Sequence, residues 1–170
     1  MSTSGSRARR RPPLRKVIGF AVLGLVALFL LIQLVPFGRE HSNPPVTRAA
    51  VFSDPKARQI VAASCNDCHS NLTRWPWYTK VAPASWLVQH DVDEGRSKMN
   101  LSEWDKPQPA LDEVIRQIKP GGEMPPWKYT VMPHHADARL SDADRATLVR
   151  AFRELYAREP PGAIKAGGGG

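Results

Sequence analysis

The sequence predicts an all-α chain, with one membrane-spanning helix at the N-terminus and a small helical domain behind it. Three observations predict this. Residues 17–35 form an unbroken apolar run. After it, apolar residues recur at helical spacing between recognisable caps and stops. The 170 residues leave room for one modest domain beside an anchoring segment.

Residues 1–16 are expected to be a basic cytoplasmic segment. Arg7, Arg9, Arg10, Arg11, Arg15 and Lys16 supply six positive charges with no acidic residue among them. The formal charge of +8 less these 6 leaves about +2 for the rest, too little for a nucleic-acid surface. Residues 17–36 are expected to be the anchor. The run VIGFAVLGLVALFLLIQLV has Gln33 as its only polar side chain, and as a helix it spans roughly 28 Å, close to the hydrocarbon thickness of a bilayer. Arginines just before such a span hold that end in the cytoplasm, so the remainder is expected outside. A cleaved signal peptide would have a shorter core and an A-x-A-like site, whereas this run ends Leu34-Val35-Pro36-Phe37-Gly38-Arg39.

Residues 37–48 contain Asn43-Pro44-Pro45 and read as an extended linker that lifts the domain, residues 49–159, off the membrane. The first helix of the domain starts at Asp54-Pro55, an N-cap and first-turn pair, and leads through Ile60 and Val61 into Cys65. A second begins near Pro83 and runs through Trp86, Leu87 and Val88 toward Gly95. In a third, Leu111, Val114, Ile115 and Ile118 share one face, and Pro120-Gly121-Gly122 stops it. The last opens with Ser141 and Asp144 at capping-box spacing, followed by the stripe Leu148, Val149, Phe152 and Leu155. Pro160-Pro161-Gly162 ends it, and residues 160–170 are expected to be a flexible tail.

Both cysteines of the chain fall in one stretch, Cys65-Asn66-Asp67-Cys68-His69, the C-x-x-C-H pattern of covalent haem attachment. Two thiols three residues apart lie on one side of a helical turn and reach the two vinyl groups of one porphyrin. His69, next in sequence, then comes under the iron as proximal ligand. Other uses of the pair fit less well. A thioredoxin-like redox pair wants a βαβ context, and no strand-rich pattern surrounds it. A zinc site needs a fourth ligand such as His134 or His135, without the usual paired spacing. A disulfide across so short a loop stabilises little.

The topology agrees with this. Haem of this type is attached outside the cytoplasmic membrane in bacteria, and the predicted orientation places Cys65 and Cys68 there, where a free C-x-x-C would otherwise tend to oxidise.

The motif continues as Ser64-Cys65-Asn66-Asp67-Cys68-His69-Ser70-Asn71. Around it stand Trp75-Pro76-Trp77-Tyr78, Val81-Ala82-Pro83, Ser85-Trp86, Asp91-Val92, Glu94-Gly95-Arg96 and Ser102-Glu103-Trp104. Gly122-Glu123-Met124-Pro125-Pro126-Trp127 and Leu140-Ser141-Asp142 follow. In these residues the chain resembles the bacterial haem-binding domain family, small membrane-anchored proteins with a single C-x-x-C-H, over residues 34–155. The resemblance implies a small cytochrome-c-like helical domain around one covalent haem c outside the cytoplasmic membrane. It implies no defined reaction.

The sixth ligand decides what the iron does. Methionine opposite histidine suits electron transfer, and an open position admits small molecules. In small cytochromes c a Met-Pro ahead of a Leu-Ser-Asp helix start carries the axial thioether, so Met124 is the first candidate and Met132, in the same loop, the second. His134, His135, His90 and Met99 are further alternatives. As gap fillers these methionines would have no such role. Trp75, Trp77, Tyr78, Trp86, Trp104 and Trp127 are expected to pack on the porphyrin and exclude water, and Arg74 or Arg96 to bond a propionate. Asn71-Leu72-Thr73 matches a glycosylation sequon by chance.

The expected function is a single-pass inner-membrane monohaem cytochrome, its haem domain facing the periplasm. It would relay electrons between periplasmic or membrane redox proteins without converting a substrate. The alternative is a haem-based sensor or peroxidase-like enzyme with an open or displaceable sixth position.

Overall fold

A long apolar helix opens the structure, a computed structural model that describes residues 13–162 apart from the side chains of Pro133 and His134. Arg7, Arg9, Arg10, Arg11 and the glycine tail lie outside the described residues. The first helix, α1, spans Leu14–Ile32, with mean hydropathy 2.3 and no buried side chain, so it is long and apolar enough to cross a membrane. It starts and ends three residues earlier than the apolar run, taking in Leu14, Arg15 and Lys16 and leaving Gln33 as its C-cap.

The domain follows its sequence signals closely. Helix α2 spans Pro55–Ser64, with the Asp54 carboxylate accepting from the backbone N–H of Lys56 and Ala57. Cys65 breaks it, and the four-residue helix α3, Asn66–His69, starts at once. After a 3-10 turn at Trp77–Lys80 comes α4, Ala84–Lys98, which passes through Gly95 instead of ending there. Helix α5 spans Leu111–Ile118. A one-turn helix α6, Trp127–Thr130, and a 3-10 stretch, Pro133–Ala138, carry no sequence signal of their own. The last helix, α7, spans Asp142–Arg158 and has the full reciprocal capping box between Ser141 and Asp144. No strand occurs among the described residues, only one isolated parallel bridge between Arg48 and Glu103.

Helix α7 packs on both α2 and α5, and their apolar stripes meet in one core. Ile60 and Val61 come from α2, Val114 and Ile118 from α5, and Leu148, Phe152 and Leu155 from α7. Phe52 meets Phe152 edge to face at 5.1 Å. Trp104 fills the same core rather than a haem edge. It is completely buried by protein, meets Tyr156 edge-on at 5.3 Å and donates its indole N–H to Glu159 O, so no ring face is left for a porphyrin.

Residues 37–48 do not form the expected free linker. Asn43 donates to Thr73 O, Pro45 O accepts from Asn71, and the backbone N–H groups of Thr47 and Arg48 both point to Ser102 O. Buried carbonyls of the domain take their partners from this segment, which binds it along the surface.

Candidate functional site

Helix α3 is the motif turn, wedged between α2 and α4. The N–H groups of Cys68 and His69 both bond Cys65 O, at 3.2 and 2.9 Å, so the two thiols project from one helical turn. Asp67 fixes the outer side, its carboxylate taking a bidentate pair from the Arg74 guanidinium at 3.1 and 2.9 Å. On the inner side the turn lies directly on α4 at Gly95. A Cβ at that position would stand 2.4 Å from Cys68 O. This glycine is a site residue that the sequence reading took for a helix end. Its signal was an isolated glycine within a helical pattern, which often marks a close approach of backbone.

His69 is held by the strand of chain that follows α4. Its Nδ1 lies 3.1 Å from Met99 O, and its own carbonyl accepts from Leu101 N. A carbonyl only accepts, so Nδ1 carries the proton and Nε2 keeps its lone pair for a metal. Burial holds the imidazole below its ordinary pKa, against the raising effect of the Met99 and Gly95 carbonyls, and so favours the neutral, ligating form. Burial also pushes Cys65 up to about 12, and burial with the nearby Asp91 and Asp67 carboxylates pushes Cys68 up to about 11. Both are unpaired, protonated thiols. Among the described residues the three-member cluster of possible metal ligands is His90, Asp91 and Glu94, which includes neither cysteine.

The loop that follows α5 returns to this turn. Asp91, one helical turn before Gly95 on α4, accepts from Lys128 Nζ at 2.8 Å and from the Tyr129 hydroxyl at 2.5 Å. Tyr129 in turn meets the His135 ring edge-on, and His135 Nε2 lies 3.0 Å from the Tyr78 hydroxyl. Burial first, then Asp91, raises the Tyr129 hydroxyl far above its ordinary pKa. Trp77 and Trp127 are each one residue from a member of this cluster and are 78% and 76% exposed. Two exposed indoles on this side of the domain are apolar surface on which a large planar group could rest. The two surface hollows of about 290 and 300 Å³ include none of the motif residues. A group tied by thioethers and an axial bond does not depend on a closed pocket.

The remaining expected residues divide. Met132 is 37% exposed and its carbonyl accepts from His135 N, within the cluster. Met124 is half-buried, its N–H on Gln117 O and its carbonyl on Arg145, which ties it to α5 and α7. Met99 packs its side chain on the core, so its contribution is the carbonyl on His69. His90 is exposed and pairs with Glu94 on its own helix, and the His134 side chain lies outside the described residues. Trp75 does not offer both faces to a porphyrin, since His41 stacks on one at 4.5 Å and Asn43 accepts from its indole. Trp86 has a buried indole N–H without a partner.

Both arginines have partners within the protein. Arg74 is committed to Asp67, and Arg96 donates to Ser70 O, Ser42 O, Asn43 Oδ1 and Thr73 Oγ1. The sequon is equally committed, with Asn71 only 2% exposed and its amide bonded to Pro45 O and Asn100.

The family model described as haem-binding domain matches residues 27–154. No curated protein and no solved structure matches the chain.

Proposed function

The chain belongs to the haem-binding domain family, and on that premise we propose that it is a membrane-anchored monohaem c-type cytochrome relaying single electrons outside the cytoplasmic membrane. The observation that carries the covalent reading is the motif turn itself. Cys65 and Cys68 project from one helical turn as protonated thiols, and His69 is fixed with its Nε2 lone pair available. When bound, the haem supplies a one-electron couple, and these three residues tether and orient it. Helix α1 and the basic residues before it support a single-pass anchor with the domain on the periplasmic side.

Met124 is the sixth ligand in this reading and Met132 its alternative. A methionine-closed iron makes the protein a carrier rather than an enzyme. A sensor or peroxidase-like role is favoured by one observation, the polar cluster of Tyr78, His135, Tyr129 and Asp91 beside Cys68, which offers hydrogen bonds to a small bound molecule. The reduced full-length protein, with and without carbon monoxide, separates the two. An unchanged spectrum is expected, and rapid carbon monoxide binding would sink the carrier reading. The methionine-to-iron near-infrared band should disappear in Met124→Ala, and its persistence there with loss in Met132→Ala would move the ligand to Met132.

A further inference from the structure

The single polar side chain of the apolar run joins α1 to the domain. Gln33 stands one residue past α1, and its amide is used on both sides. Its Nε2 donates to Ala82 O at 2.9 Å, and its Oε1 accepts from Ala82 N at 3.0 Å and from Arg39 at 3.1 Å. Ala82 is completely buried. The residues that follow tighten the joint. Gly38, at φ +76°, lies so close to the first turn of α4 that a Cβ there would meet Ser85 O at 2.3 Å. His41 Nε2 then reaches Thr79 O at 3.0 Å and its ring covers Trp75. From residue 33 to residue 43 the chain is therefore laid on residues 73–85, with no free spacer between α1 and the domain.

We propose that α1 and the haem domain form one rigid unit seated on the bilayer, with the lipid headgroup layer covering the face around Leu34, Val35, Phe37 and Lys80. This rests on the membrane-anchor reading above. The apolar part of α1, residues 17–32, measures about 24 Å, so that Arg15 and Lys16 reach one headgroup layer and Gln33 stands at the other interface. Leu34, Val35 and Phe37 follow at once and are 77%, 45% and 51% exposed, apolar surface that an interfacial layer covers and water does not. Lys80, exposed and two residues from the Gln33 partner, offers a cation to lipid phosphate. Helix α4 starts at this joint and carries the motif turn at Gly95, eleven residues or about 17 Å further along. The seat thus holds the cofactor turn within a fixed reach of the membrane surface, where a tether would let it roam.

The test uses the full chain with haem attached, in nanodiscs of phosphatidylcholine and phosphatidylglycerol. The native thiols are consumed by attachment, so one added cysteine at a time reacts with a water-soluble maleimide. Phe37→Cys and Lys80→Cys should react about tenfold more slowly than Arg153→Cys on α7, the ratio given by a seat open a tenth of the time. Adding Gln33→Leu, which keeps α1 apolar, should bring the Lys80→Cys rate up to that of the reference while the protein still co-elutes with the disc and retains haem. Equal rates at all three positions in disc-bound protein would overturn the seat and leave the anchor standing. Protection that survives Gln33→Leu would overturn the joint. Elution apart from the discs would overturn the anchor and the seat with it.

Discussion

Replacing Gly95 by alanine tests whether the motif turn rests on α4. In an uncrowded helix the change stabilises by about 0.8–1.0 kcal/mol, because glycine loses the most backbone freedom on folding. Here the new Cβ would lie 2.4 Å from Cys68 O and 3.0 Å from both Cys68 C and Cβ, where ordinary contact begins at 3.4 Å. Two of those three atoms are backbone, so relief requires α3 to move away by roughly 1 Å. Overpacking of this kind costs about 1–3 kcal/mol. Set against the helix gain, the variant should gain nothing and lose up to about 2 kcal/mol, a fall of up to about 10 °C in Tm for a domain of this size. Thermal unfolding of the haem-loaded protein, followed by far-ultraviolet circular dichroism and by the Soret band, reads both the fold and the site. Because Cys68 and His69 ride on the displaced turn, the haem-to-protein ratio should fall as well. A Tm above that of the natural chain would refute the contact, since that is how an uncrowded helical glycine behaves.

Asp91→Asn should weaken the return loop, since the Tyr129 hydroxyl and the Lys128 ammonium lose a charged acceptor. About 1.5–3 kcal/mol is expected, seen as faster amide exchange over residues 127–138, and unchanged exchange would contradict the tie. Arg96→Met should cost about 1.5–3 kcal/mol, because Ser70 O, Ser42 O and Asn43 lose one shared cation. A change in urea midpoint within error would contradict that clamp. Asp54 and Asp144 cap α2 and α7, and both carboxyls are held below the ordinary 3.8, Asp54 chiefly by the Lys56 N–H and Asp144 chiefly by the Ser141 hydroxyl. A depressed carboxyl stabilises above its unfolded value and loses that as pH falls through its folded one, so stability should fall below pH 3.8. Asp54→Asn, which caps without titrating, should flatten part of that fall in an acid titration followed by circular dichroism.

What could be read from the residues in advance is what local chemistry determines. Asp54-Pro55 and Ser141 with Asp144 cap helices with their own side chains, and the C-x-x-C-H spacing does fall on one turn of helix, with Cys68 and His69 N–H on Cys65 O. Long-range contacts were not legible in the same way. Gly95 looks like a helix terminus until Cys68 is known to lie on it, and Gln33 like a tolerated polar intruder until Ala82 is opposite. The tryptophans make the point most clearly. Trp104 and Trp127 read alike in sequence, yet one fills the core and the other stands 76% exposed at the start of α6. Residues 37–48 have the proline and polar content of a spacer, but the carbonyls of Ala82, Thr73 and Ser102 need partners, and residues 33–48 supply them.

The central claim is that one haem is bound covalently through Cys65 and Cys68. Intact-mass measurement of the denatured full-length protein, made in cells competent for haem attachment, tests it most directly. The expected mass is that of the chain plus one haem, reduced to that of the chain alone in the Cys65→Ala, Cys68→Ala double variant. The mass of the chain alone, or of the chain less two hydrogens for a disulfide, would contradict it.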